Sequence, residues 1–92
     1  MKVAIYLWSF NHYLWKDVFY NLDDAIKSCN EVTGCNFKKE ELTNTDDLKG
    51  EDAVDALPQR YIPKQTGENN YQRIRFFRRV VDLPQAKEDV LN

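Results

Sequence analysis

Few side chains in this sequence are suited to covalent chemistry, and the sole histidine, His12, must serve any general-base arrangement. Ser9, Ser28, Cys29 and Cys35 are the candidate nucleophiles, but nothing in the spacing brings one of them to His12, which falls in an expected turn. No catalytic residue is assigned. His12 with Cys29, Cys35 and a carboxylate would make a zinc-type donor set. The chain has no Cys-x-x-Cys, however, and Cys29 lies on the apolar side of an expected helix, so no metal ligand is assigned. Gly34, Gly50 and Gly67 stand alone, which leaves no glycine-rich phosphate loop and no cofactor expectation.

Adjacent acids recur as Asp23-Asp24, Glu40-Glu41, Asp46-Asp47 and Glu51-Asp52. Sequence neighbours point apart on a helix, and no Asp-x-Asp-x-Asp-Gly loop is present, so these read as a solvated acidic surface. The functional alternative is local mimicry of a phosphate backbone. Charge is segregated along the chain: from Glu40 to Asp55 seven acids face only Lys49, whereas Arg60, Lys64, Arg73, Arg75, Arg78 and Arg79 face only Glu68. The net charge of −2 and pI near 5.3 give no general attraction to nucleic acid or an anionic membrane.

Ninety-two residues make one domain, 1–92, with one shared core. No apolar run is long enough for a membrane span, and two cysteines are too few for a disulfide framework, so a cytoplasmic protein is expected. Val3 to Phe10 and Tyr13 to Tyr20 are rich in β-branched and aromatic residues, and Asn11-His12 between them suits a hairpin turn. That turn pairs Phe10 with Tyr13, Ser9 with Leu14, Trp8 with Trp15, Tyr6 with Asp17 and Ala4 with Phe19. One face then carries Tyr6, Trp8, Phe10, Tyr13, Trp15 and Phe19. The other carries Val3, Ile5, Leu7, Leu14 and Val18 and is expected to pack on the first helix.

That helix spans Leu22 to Thr33, with Leu22, Ala25, Ile26, Cys29 and Val32 at helical spacing, Asn21 as its cap and Gly34 as its stop. A short helix around Glu51 to Leu57, ended by Pro58, is followed by an irregular connector through Pro63 and Gly67 to Asn70. Tyr71 to Val81 reads as a third strand, with Ile74, Phe76 and Val80 on one side and Arg73, Arg75, Phe77 and Arg79 on the other. Its arginines suit an exposed edge, so the expected sheet order is 2-1-3. After Pro84 a short helix gathers Leu83, Ala86, Val90 and Leu91. The fold class is α+β, an antiparallel sheet of about three strands with the first helix on one face.

The aromatic hairpin face needs a cover, either the connector and last helix or another molecule. Exposed tryptophan, tyrosine and arginine are enriched at protein interfaces, which makes Tyr6, Trp8, Tyr13, Trp15, Arg73, Arg75 and Arg79 the candidate partner-binding residues. The expected function is a small, stand-alone, non-enzymatic module that binds another protein, as an inhibitor or adaptor; phage antagonists of host machinery share this compositional profile. The alternative is nucleic-acid binding by the arginine-rich strand, whose guanidiniums suit phosphates and whose Tyr71, Phe76 and Phe77 suit base stacking.

Overall fold

The computed structural model of the chain describes residues 1–10, 13–44, 52–64 and 71–86, with the backbone alone at Phe10, 13–16, 44 and 52–53. The turn Asn11-His12, the acids Asp46, Asp47 and Glu51, and Gly67, Glu68, Asn70, Val90 and Leu91 lie outside the described residues. Among the described residues seven strands and one longer helix follow the order β1 (Lys2–Phe10), β2 (Tyr13–Phe19), α1 (Leu22–Thr33), β3 (Thr43–Asn44), β4 (Asp52–Ala56), β5 (Arg60–Tyr61), β6 (Tyr71–Gln72) and β7 (Ile74–Asp82), and residues 83–86 form a helical turn. A 3₁₀ turn, Lys39–Glu41, precedes β3. The antiparallel main sheet has the order β2-β1-β7-β4-β3, and β5 and β6 form a separate two-stranded ribbon. The architecture is α+β in a single domain, and the expected 2-1-3 order survives as its β2-β1-β7 portion.

β1 pairs with β7 along its whole length, from Lys2 with Asp82 to Phe10 with Ile74. On its other side Trp8 faces Trp15, Ser9 faces Leu14 and Phe10 faces Tyr13, as the turn position predicts. The register then shifts, so that Tyr6 faces Phe19 instead of Asp17. An irregularity of this kind keeps side-chain alternation on both strands, and it brings Phe19 to the core side where Asp17 would have been buried.

Asp52–Ala56 is a strand, not the expected helix. Val54 and Ala56 alternate with Ala53 and Asp55, and the ladder to β7 offers backbone partners that a short acidic helix ending at Pro58 could not match. One consequence is that the arginine-rich β7 is an interior strand between β1 and β4, not an edge. Strand side chains stand perpendicular to the sheet, so arginines are tolerated at an interior position provided one face is exposed.

α1 forms where its signals predict. The Asn21 side chain accepts from the Asp24 backbone N–H at 2.8 Å, Asp23 and Asp24 occupy the positive end of the helix dipole, and the left-handed Gly34 (φ 74°) donates back to the Asn30 carbonyl at 2.8 Å. A side chain at Gly34 would also approach Lys64 Cγ to 2.9 Å. The Asn30 amide holds the following segment, donating to the Phe37 carbonyl and accepting from its N–H, which fixes Phe37 over the core.

The helix lies on the opposite sheet face from the one expected. Ala25, Ile26 and Cys29 pack into a core with Tyr6, Trp8, Ile74, Phe76, Phe37, Leu57 and Ile62, with Ala4 and Phe19 at its margin. The reason is volume: small helix residues leave room for large rings, while the branched aliphatics of the other face pack against the smaller segment at 83–86. There Ile5, Val81 and Ala86 form a second cluster with Val3 and Val18, and the Tyr20 hydroxyl donates to the Ala86 carbonyl at 3.2 Å.

Candidate binding surface

The pleat of β7 sends Ile74 and Phe76 into the core and leaves Arg75, Phe77 and Arg79 on the far side. The alternation extends back through Arg73 and β6: Gln72 is buried, whereas Tyr71 is 65% exposed and Arg73 exposed. The outcome is a line of exposed residues at two-residue intervals, Tyr71, Arg73, Arg75, Phe77 and Arg79. Phe77 is 39% exposed, with Leu7 and Val54 as its neighbours across the two ladders. Arg75 is exposed and stands between Ser9 and Ala56, which are both buried. At its far end Tyr71 meets Tyr61 edge to face, ring centres 5.6 Å apart, and Tyr61 is itself exposed.

The other basic groups of this half of the chain are engaged. One Arg60 nitrogen, Nη2, donates to both Glu41 carboxylate oxygens at 3.0 Å, and the guanidinium lies 4.6 Å from the centre of the Phe37 ring. Lys64 Nζ donates to the Glu31 carbonyl in the last turn of α1. Arg78 points to the helix side, where its Nη1 lies 3.5 Å from Asp55 Oδ2. Arg79 has Asp52 as its ladder neighbour. Arg73 and Arg75 remain, with no ion pair among the described residues.

The expected partner-binding residues therefore separate. Arg73, Arg75 and Arg79 share the exposed line. Tyr6 and Trp8 do not: Trp8 is 0% exposed and both belong to the core under α1, so the aromatic hairpin face is interior at these positions. The backbone places Trp15 and Tyr13 opposite Trp8 and Phe10. Tyr61 was overlooked from sequence. The signal was present, since Arg60-Tyr61 and Tyr71-Gln72 flank a glycine-containing segment as hairpin strands do.

Cys29 is a poor nucleophile here. Burial foremost, then the nearby Cys35, push its thiol from 9.0 up to about 12, against a lowering contribution from Thr33. The Thr33 hydroxyl meanwhile donates to the Cys29 carbonyl, and Cys35 Sγ donates to the Tyr61 carbonyl at 3.3 Å. Both cysteines are free thiols. Among the described residues no group of histidine, cysteine and carboxylate side chains could hold a metal ion, and no helix is long and apolar enough to cross a membrane. No protein-family model, curated protein or solved structure matches this chain.

Proposed function

We propose that the chain is a non-enzymatic protein-binding module, an inhibitor or adaptor, that docks its partner on the sheet face turned away from α1. The contact residues are Tyr71, Arg73, Arg75 and Phe77, with Tyr61 and Arg79 at the two ends. The observation that carries this reading is the exposed aromatic and arginine line, in which Arg73 and Arg75 form no ion pair with a described residue. Arginine and large aromatics are the residue types that concentrate binding energy at protein interfaces. Two free thiols suit a reducing cytoplasm.

Capture from a native lysate by the wild-type chain and by Phe77→Ala, each with and without nuclease, tests it. The reading expects one protein recovered by the wild type, resistant to nuclease and lost with Phe77→Ala. Recovery that ignores Phe77 contradicts it.

The same line of residues supports a second reading, single-stranded nucleic acid, because aromatics stack on bases and arginines hold phosphates. It ranks lower since the whole chain is acidic. Nuclease-sensitive recovery of many proteins would favour it, as would an affinity whose salt slope drops by about 0.7 for each arginine removed.

A further inference from the structure

We infer that the element recognised by this face is an extended acidic peptide segment of the pattern acid-x-acid-x-aromatic, its two carboxylates on Arg73 and Arg75 and its ring on Phe77. The inference rests on the binding-module reading and names the chemistry of the partner.

Charge is the first argument. By register this face carries Arg75 and Arg79, with Asp52 opposite Arg79, and Arg73 stands at the junction of β6 and β7; the ladder neighbours of Arg75, Ser9 and Ala56, are not acidic, and Asp55 is turned to the helix side against Arg78. A neutral or basic partner would strip water from Arg73 and Arg75 and return nothing, whereas carboxylates meet the guanidinium fork in the paired geometry that makes such contacts strong.

Spacing is the second argument. Alternate residues on one strand face lie about 6.7 Å apart, and an extended peptide repeats its same-side residues at that same interval. Two acids separated by one residue therefore reach Arg73 and Arg75 together, and the next same-side residue arrives over Phe77. Phe77 is flanked across the two ladders by half-buried Leu7 and buried Val54, and its own exposed ring is what a partner's ring would meet.

A nucleic-acid strand fits less well. Two arginines neutralise two phosphates, while salt-sensitive nucleic-acid complexes draw on several, and the net charge of −2 opposes approach of a polyanion.

Fluorescence anisotropy with the full chain tests the inference, using labelled glycine- and serine-based peptides carrying Asp-x-Asp-x-Phe, Lys-x-Lys-x-Phe or Asp-x-Asp-x-Gly, and an oligouridine strand. The first peptide should bind, more weakly as salt rises. Its affinity should drop about tenfold or more with Arg73→Gln/Arg75→Gln, and also when its ring is removed or Phe77 is changed to Ala, with melting temperatures near wild type throughout. Equal binding of the lysine peptide, retention of affinity in the variants, no binding, or preference for oligouridine overturns it. A protein captured through Phe77 but not displaced by the acidic peptide would leave the module reading standing and remove this inference. Capture that ignores Phe77 would remove both.

Discussion

Phe76 and Phe77 are neighbours in sequence on opposite sides of β7, and they contrast the two faces of the sheet. Phe76 is 0% exposed among Trp8, Ile74 and α1, while Phe77 shows more than a third of its surface beside two arginines. The backbone is shared: both faces use the same ladders to β1 and β4. What differs is what lies above them. One face is sealed by a helix whose small residues fit large rings. On the other, Ile5 and Val81 pack with the segment at 83–86, Ser9, Val54 and Ala56 are also buried, and Arg75, Phe77 and Arg79 are exposed. A single interior strand thereby sends Ile74 and Phe76 into the core under α1 and exposes Arg75, Phe77 and Arg79 on its other face.

Changes on the sealed face should have the largest effects. Trp8→Ala removes a fully buried ring and should cost about 3 to 5 kcal/mol of folding free energy, read from the urea denaturation midpoint with the slope held constant. A loss below about 1 kcal/mol would place Trp8 outside the core.

A second effect on the sealed face depends on pH. An unfolded Cys29 ionises near 9.0 and the folded one near 12, so the folded chain holds its proton where the unfolded chain has released it. The contribution is fully present below pH 9 and is lost as pH rises towards 12. The stability difference between wild type and Cys29→Ala should therefore be flat below pH 9 and shrink above it. Thiol labelling by an alkylating reagent at neutral pH should modify Cys35 ahead of Cys29. Equal rates would break the contrast between a sealed and an accessible thiol.

On the open face, stability effects should be small. Arg73→Gln and Arg75→Gln touch exposed side chains with no ion pair among the described residues, and each should move folding free energy by about 0.5 kcal/mol or less in thermal unfolding. A larger destabilisation would mean these arginines are structural.

Much of the sealed face was legible in the sequence. Asn21, Gly34 and the spacing of Ala25, Ile26 and Cys29 define α1 by local chemistry alone, and a turn at Asn11-His12 suffices to set Trp8 against Trp15. The side of the sheet that α1 would cover was not legible. β1 is apolar on both faces, and only the match of small helix residues to large rings decides between them. β4 was hidden for a different reason: a five-residue stretch holding two aspartates has weak intrinsic preference, and its strand character comes from pairing with β7. That pairing also moved the arginines from an edge to an interior strand. The alternation that exposes Arg73, Arg75, Phe77 and Arg79 was readable throughout, whereas Tyr61 joins Tyr71 only through a ladder between distant segments.

The most direct test of the account is a matched pair of urea denaturations, Phe76→Ala against Phe77→Ala. The account predicts a loss of about 3 to 5 kcal/mol for Phe76→Ala and about 1 kcal/mol or less for Phe77→Ala. Equal losses, or the larger loss at Phe77, would contradict the assignment of one face to the core and the other to recognition.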